Sequence, residues 1–266
     1  MGFADASAVE RMEDHLFRGE VLPRWDIAGA ANGGYLLAIA GRASAIAAEC
    51  PDPASISAHF LAPAKPGPVT IETEVLKAGR RFTTVRAVIR SDEGRPIAAT
   101  LGSFTDLAQA GGVERVDAAP PDLPPVDECI PIEPTDTFPP PFMAQVELRV
   151  HPDDFGFGDG ATSGVPRIRG WFRWREDEPL DTLGVLVATD AFPPTIFNAN
   201  LPVAWTPTLE LTTHVRFVPH DDHQWLRCAF TTRFITGGFL EEDGELWDDK
   251  GRLIAQSRQL ALVPRG

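Results

Sequence analysis

Cysteine is scarce in this sequence of 266 residues. It occurs only as Cys50, Cys129 and Cys228, which lie far apart and never form a CxxC pair. An odd, widely spaced set argues against a disulfide framework and against a zinc site built from cysteines. We therefore expect three unpaired thiols with small, buried or partly buried side chains, in a reducing cytoplasm.

Long hydrophobic runs and an excess of positive charge are also missing. No apolar run reaches the roughly 18 residues that a membrane-spanning helix needs, and the N-terminal segment lacks the basic and apolar regions of a signal peptide. Lysine and arginine total 24 against 38 aspartate and glutamate, which gives a formal net charge of −14. This balance repels polyanions. We expect neither a nucleic acid nor a membrane as partner.

Proline is concentrated between Pro120 and Pro141, in the stretch PPDLPPVDECIPIEPTDTFPPP. This stretch has no helical or strand periodicity, and proline supplies no backbone N–H for regular structure. The sequence therefore predicts an N-terminal domain at 1–112, a proline-rich linker at 113–141 and a C-terminal domain at 142–266. Both domains have the usual size of a small folding unit.

The two predicted domains share an internal repeat. AHFLAP matches THVRFVP, AGRRFTT matches TGGFLEE, and EGRPIAATLGSF matches KGRLIAQSRQLAL. The offset between equivalent residues is 155 for His59 and His214 and 157 for Gly94 and Gly251. Such a nearly constant register predicts that the chain carries one structural unit twice.

Each unit begins with a helix and continues with strands. Residues 33–48 and roughly 181–192 are apolar on nearly every face, which predicts two buried central helices. The segments that follow are rich in β-branched residues and are broken by short turn signals, which predicts antiparallel hairpins. An apolar helix followed by such strands favours a sheet that curls around the helix. The predicted fold class is α+β, with two units of this kind.

Five segments resemble a known family and follow one another in the right order. They are NGGYLLAIAGRA, HFLAPAKPGPVTIETEVLKAGR, ATDAFPP, PTLELTTHVRF and LWDDKGRLIAQSRQLALV. These segments are similar to those of the acyl-CoA thioesterase II (TesB-like) proteins, over nearly the whole chain outside the linker. The resemblance implies a double hotdog fold, in which two tandem units each wrap a curved antiparallel sheet around a long apolar helix. It also implies hydrolysis of acyl-CoA to a fatty acid and free CoA, without a metal or organic cofactor.

The resemblance also implies a site that holds and activates the attacking water. The aspartate of this family falls on Asp190, the hydroxyl residue on Thr208 and the glutamine on Gln259. Thr212 and Gln256 remain as alternatives for the last two roles. A carboxylate in the apolar stretch around Asp190 is costly unless it is partnered, and burial raises its pKa towards that of a general base. The competing interpretation of Asp190 is a charge that caps the end of a helix.

The start of the first helix offers a candidate substrate-binding element. Asn32, Gly33 and Gly34 could present backbone N–H groups to an oxyanion or a phosphate, or could cap the helix and allow close packing. When the two helical segments are aligned, Arg42 falls opposite Asp190. We therefore expect one chemical site per chain, in the C-terminal half.

Other functions compete with thioester hydrolysis. A double hotdog protein could bind acyl groups or lipids without turnover, since a fold does not fix a function. A hotdog enoyl-CoA hydratase would need a His–Asp pair beside a helix, and the sequence shows none there. The chain has no GxSxG motif, which leaves a serine nucleophile of the α/β-hydrolase type unsupported. It is compatible with a homo-oligomer.

Overall fold

One antiparallel sheet extends through both halves of the chain. A computed structural model describes residues 2–135, 139–158, 160–202, 206–220 and 225–263. Among these residues 14 strands form the main sheet and two short strands pair separately. No helix in the described parts of the chain is long and apolar enough to cross a membrane.

The described part of the first half contains two α-helices and eight strands. In chain order they are α1 (Phe3–Ala6), β1 (Val9–Glu13), β2 (Leu16–Val21), β3 (Asp26–Ile27), β4 (Ala30–Ala31), α2 (Gly33–Ala48), β5 (Asp52–Phe60), β6 (Gly67–Ala78), β7 (Thr83–Ser91) and β8 (Pro96–Thr105). Strands β3 and β4 pair only with each other among the described strands.

The described part of the second half contains one α-helix and eight strands. They are β9 (Ile130–Pro131), β10 (Val146–Val150), β11 (Arg167–Trp174), α3 (Thr182–Ala188), β12 (Thr208–Val215), β13 (Leu226–Thr231), β14 (Ile235–Thr236), β15 (Phe239–Trp247) and β16 (Leu253–Leu262).

The order of the strands repeats between the two halves. The first half runs β1-β2-β6-β7-β8-β5, and the second runs β10-β11-β13-β15-β16-β12 when it is read towards the centre of the sheet. Each of these six strands thus has an equivalent in the other half, and α2 corresponds to α3. The sequence repeat is therefore a repeat of topology.

The two halves meet where β5 pairs with β12. In this antiparallel pairing Ser57 lies opposite Thr212, and their hydroxyl oxygens are 2.6 Å apart. These two residues are separated by the same 155 positions as His59 and His214. A pseudo-twofold axis therefore passes through the Ser57–Thr212 pair.

Helix α2 occupies the predicted residues 33–48. Asn32 begins it, because its Oδ1 accepts a hydrogen bond from the Tyr35 N–H at 2.9 Å. Glu49 ends it in a left-handed conformation, with φ of 53°, just before Pro51. The helix is buried over most of its surface and packs against α3 and strands of the first half.

Helix α3 is shorter than predicted. It covers Thr182–Ala188 rather than residues 181–192, so the expectation of a long second helix was wrong. The chain turns because the Asp190 N–H bonds the Val187 carbonyl oxygen at 3.0 Å, and Pro193 and Pro194 follow where a further helical turn would need N–H groups. The apolar pattern continues past the helix because Ala191 is buried in this turn.

The proline-rich segment lies against the second half. The carbonyl oxygens of Asp122 and Pro124 accept hydrogen bonds from Arg169 and Trp171 of β11, at 3.2 and 3.0 Å. Strand β9 pairs with β10 at the outer edge of the sheet. The segment predicted as a linker therefore also covers that edge. The domain boundaries themselves remain a prediction.

Candidate active site

Asp190 lies directly after α3, at the N-terminus of α2. Its Oδ2 accepts hydrogen bonds from the Gly34 N–H at 2.9 Å and from Asn32 Nδ2 at 3.0 Å. Asn32 Nδ2 also donates to the Asp190 carbonyl oxygen at 2.8 Å. The first turn of a helix stabilises a negative charge through its free N–H groups and its dipole. The two helices thus hold this carboxylate between them.

The glycines of this turn allow the close approach. A Cβ on Gly34 would lie 2.7 Å from the Leu186 carbonyl oxygen, and one on Gly33 would lie 2.8 Å from Phe60 Cζ. Since Asp190 takes the Gly34 N–H, these contacts match the capping and packing interpretation of Asn32, Gly33 and Gly34. Their role in substrate binding remains a prediction.

The pKa of Asp190 is raised from 3.8 to about 6, and burial is the largest cause. The Gly34 N–H opposes this rise, and the negative charge of Glu242 adds to it. The Gly33 N–H and Asn32 also oppose the rise, and the bonds from Asn32 and Gly34 both fall on Oδ2. The group can therefore accept a proton near neutral pH.

Thr208 and Gln259 are in direct contact on neighbouring strands. Thr208 Oγ1 donates a hydrogen bond to Gln259 Oε1 at 3.1 Å, and Gln259 Nε2 donates to Glu242 Oε1 at 2.7 Å. The other oxygen of Glu242 accepts the Thr195 N–H at 2.7 Å. These four residues form a buried polar chain, because Gln259 and Glu242 are less than a tenth exposed and Thr195 is fully buried.

The alternatives Thr212 and Gln256 lie on the other face of the sheet. Along β16 the odd-numbered Ser257, Gln259 and Ala261 are buried and the residues between them are more exposed. Thr212 contacts Ser57 and Glu210, and Gln256 accepts a hydrogen bond from Arg216 at 2.9 Å.

These two residues line a surface recess of about 260 Å³, together with Asp243 and Arg258. No hydrogen bond links this recess to Asp190 among the described residues. The geometry therefore favours Thr208 and Gln259 over Thr212 and Gln256.

Asp190 makes no hydrogen bond with Thr208 or Gln259 among the described residues. Glu242 connects the two groups, because it bonds Gln259 and its charge acts on the carboxylate of Asp190. Convergence of the three predicted residues on one water molecule remains a prediction.

Glu242 and Thr195 were missed by the sequence analysis. A signal for Glu242 was present, because Leu240, Glu242, Gly244 and Leu246 alternate along β15 and all face the interior. A carboxylate in phase with buried leucines is expensive without partners and therefore marks a polar network. Thr195 carried no comparable signal.

The cysteines and possible metal ligands are the remaining candidates for chemistry. All three cysteines are free thiols, Cys129 and Cys228 buried and Cys50 partly buried. No group of three or more His, Cys, Asp or Glu side chains that could hold a metal ion occurs in the described ranges.

Comparison with protein families gives two adjoining matches. A model described as the acyl-CoA thioesterase N-terminal domain matches residues 21–105, and one described as the acyl-CoA thioesterase C-terminal domain matches residues 120–263. The chain belongs to the acyl-CoA thioesterase II (TesB-like) family. The resemblance on which the sequence analysis relied is thereby confirmed.

Solved structures support this membership. A proposed thioesterase II from Thermobifida fusca YX is 33% identical, with a TM-score of 0.89 over 99% of this chain and 97% of that one. A protein of unknown function with a hot dog fold from Alicyclobacillus acidocaldarius is 21% identical, with a TM-score of 0.85 over 99% and 98%. Acyl-CoA thioesterase II TesB2 from Mycobacterium marinum is 20% identical, with a TM-score of 0.74 over 100% and 99%. The fold is therefore a hotdog fold.

Proposed function

We propose that this protein is an acyl-CoA thioesterase with one hydrolytic site per chain. The observation that carries the proposal is the position of Asp190, a carboxylate with a pKa of about 6 at the N-terminus of α2. A general base is most effective when its pKa lies near the working pH. The substrate is an acyl-CoA, and the products are a carboxylic acid and free CoA.

The proposed reaction uses side chains that this chain supplies. Asp190 accepts a proton from water, and the oxygen of that water adds to the thioester carbon. Thr208 and Gln259, which hydrogen-bond each other at 3.1 Å, are assigned the orientation of this water. The tetrahedral intermediate then collapses, the C–S bond breaks, and the proton on Asp190 passes to the departing sulfur. No metal or organic cofactor takes part in this scheme.

The start of α2 has a second part in the proposal. Negative charge develops on the thioester oxygen during attack, and the positive end of a helix dipole stabilises such charge. Asn32, Gly33 and Gly34 lie at that end and also hold Asp190. We assign them to substrate binding on this basis.

The fold supports a double hotdog arrangement, with one unit in each half. The matching strand order and the axis at Ser57–Thr212 favour two tandem units over one irregular domain. We propose units at 1–112 and 142–266, joined by the segment 113–141. The free thiols agree with a place in the cytoplasm.

One observation favours a second function, the binding of acyl groups or lipids without turnover. Oδ2 of Asp190 is engaged at the helix N-terminus, as expected of a purely structural cap. The hydratase alternative has no such support, because no histidine pairs with Asp190 in the described residues.

A panel of acyl-CoAs of different chain lengths, assayed with a thiol reagent, separates these functions. A thioesterase releases free CoA with multiple turnovers. If the protein only binds, the acyl-CoA instead quenches the protein's intrinsic tryptophan fluorescence or shifts its melting temperature, and no thiol is released. Absence of thiol release from every member of the panel would refute the proposed function.

A further inference from the structure

The polar chain behind the candidate site has a direction, which is set by Glu242. An amide side chain such as that of Gln259 has one accepting end and one donating end, and its neighbours decide which way it points. A carboxylate can only accept, so Glu242 takes the Nε2 end at 2.7 Å. The Oε1 end of Gln259 is thereby turned towards Thr208.

This orientation fixes the hydrogen of the Thr208 hydroxyl. Because Gln259 Oε1 accepts that hydrogen at 3.1 Å, the lone pairs of Thr208 Oγ1 are left to accept from another donor. Such a hydroxyl can hold a hydrogen of the attacking water. The water then keeps an oxygen lone pair free for the thioester carbon.

The second contact of Glu242 fits an ionised carboxylate. Thr195 donates its backbone N–H to Oε2 at 2.7 Å, while its own hydroxyl pairs with that of Thr232 at 2.7 Å. Both oxygens of Glu242 thus face donors, which satisfies the charged form. Burial raises the pKa of Glu242 above its usual value, and the bonds from Thr195 and Gln259 offset part of that rise.

We propose that Glu242 is a positioning residue that acts through Gln259 to make Thr208 a hydrogen-bond acceptor towards the attacking water. This role rests on the proposed function. A buried carboxylate costs folding energy, and an uncharged side chain could pack in its place. The carboxylate is present, we infer, because only an acceptor at this position turns the Oε1 of Gln259 towards Thr208.

The variant Glu242→Gln tests the direction without removing the contacts. Its Oε1 can accept from Thr195, and its Nε2 then donates to Gln259, which must rotate to present its oxygen. Gln259 in turn offers Nε2 to Thr208, whose hydrogen would point at one of the two lone pairs of the water, so the hydroxyl no longer accepts a hydrogen from that water. The number of hydrogen bonds is unchanged, but donor and acceptor are exchanged in the bond between Gln259 and Thr208 and in the bond between Thr208 and the water.

We expect Glu242→Gln to lower kcat about tenfold or more, the size associated with a buried hydrogen bond to a charged group. KM should change by less than about threefold, since the reversal acts on the attacking water. The matched control is Glu245→Gln on the same strand, whose carboxylate lies on the other face and accepts from Trp247 Nε1 at 3.2 Å. This control should keep the kcat of the wild type.

The exchanged variant Glu242→Gln/Gln259→Glu restores every direction. Gln at 242 accepts from Thr195 and donates to Glu at 259, which accepts from Thr208. We expect its kcat to exceed those of both single variants. The single variant Gln259→Glu places two carboxylates in contact, so its melting temperature should fall and the exchange should recover it.

The outcomes separate this proposal from the proposed function. Wild-type kcat in Glu242→Gln, together with an inactive Asp190→Asn, would overturn the role of Glu242 and leave the thioesterase intact. The role of Glu242 would also be overturned if the exchanged variant had a kcat no higher than those of the single variants. The same holds if its melting temperature were no higher than that of Gln259→Glu. If the wild type releases no CoA from any acyl-CoA, the proposed function and the positioning role of Glu242 both fail. Recovery of the melting temperature in the exchanged variant would then still show that the side chains at positions 242 and 259 pair.

Discussion

The two halves of the sheet place different residues at equivalent positions. In the second half Glu242 of β15 lies opposite Gln259 of β16, whereas in the first half Val85 of β7 lies opposite Gly102 of β8. Both pairs are related by the 157-residue offset of the repeat. One pair joins an amide to a carboxylate by a hydrogen bond of 2.7 Å, and the other has no polar side-chain atom.

The other site positions differ in the same way. Thr208 stands at a bulge at the start of β12, and the equivalent bulge at the start of β5 carries Pro53. Arg42, the residue aligned with Asp190, donates to Ser7 at 2.8 Å and pairs with Asp181 at 3.6 Å. In the first half these positions therefore carry a proline and an ion-paired arginine.

Gly102 lies where the first half has no space for a larger side chain. A Cβ at this position would lie 2.7 Å from Cε2 of Phe104, and that ring is completely buried. The ring fills the volume beside the position where the second half holds a glutamine. The chain thus contains the structural unit twice, and only the second unit carries the candidate residues Thr208, Glu242 and Gln259.

The largest expected effect concerns Asp190, the carboxylate that the first half lacks at the aligned position. Asp190→Asn should lower the turnover of acyl-CoA by about 10²–10⁴-fold, because it removes the proton acceptor while keeping its shape. Steady-state kinetics with the best substrate of the panel measure this effect. A wild-type rate would show that Asp190 is a structural cap.

Asp52 in the first half provides the matched control for Asp190. It is buried and accepts hydrogen bonds from Thr182 Oγ1 at 2.7 Å and from the Leu107 N–H at 2.8 Å. In Asp52→Asn the amide can donate to the hydroxyl of Thr182 and accept from Leu107, so the fold is retained. Turnover should stay within about twofold of the wild type.

Close helix packing gives the next effect. In Gly34→Ala the added Cβ would meet the Leu186 carbonyl oxygen at 2.7 Å and Val187 Cα at 3.0 Å, so α3 must shift. We expect a loss of about 1–3 kcal/mol in the free energy of unfolding and reduced turnover, because Asp190 moves with α3. Chemical denaturation and kinetics together measure it.

Gly41→Ala on the same helix should be milder. Its Cβ would lie 3.0 Å from Cδ2 of Leu183, the end of a flexible side chain. The higher helix propensity of alanine offsets part of this contact. Equal destabilisation by both variants would argue against a tight junction at Gly34.

The pH dependence of the free energy of unfolding distinguishes two roles for Asp190, a general base and a structural helix cap. Folding raises the pKa of Asp190 from 3.8 to about 6, so the stability associated with its protonated form is complete below 3.8 and is lost as pH rises through about 6. Above that range Asp190→Asn should be more stable than the wild type, by on the order of 1–3 kcal/mol, and the difference should vanish near pH 3.8. Denaturation at both pH values tests it. A less stable variant above pH 6 would favour the cap.

The sequence predicted what depends on local pattern and on repetition. Helix α2 has its predicted bounds because apolar residues cover its faces and Asn32 begins it. The length of α3 was not predictable from the same pattern, because the apolar residues continue into the turn that presents Asp190. The pairing of Gln259 with Glu242 depends on the register of two strands, and the Asp190–Gly34 contact joins residues 156 positions apart.

The smallest expected effect concerns the two faces of the sheet. Thr212→Val and Gln256→Leu alter the outer face, where their partners are Ser57 and Arg216. Neither should change kcat by more than about twofold, since surface substitutions away from a site have small effects. Thr208→Val removes the hydroxyl that donates to Gln259 at 3.1 Å and should lower kcat about tenfold or more. Thr208→Val and Thr212→Val remove the same group from opposite faces, so a larger loss in Thr212→Val than in Thr208→Val would move the candidate site to the outer recess.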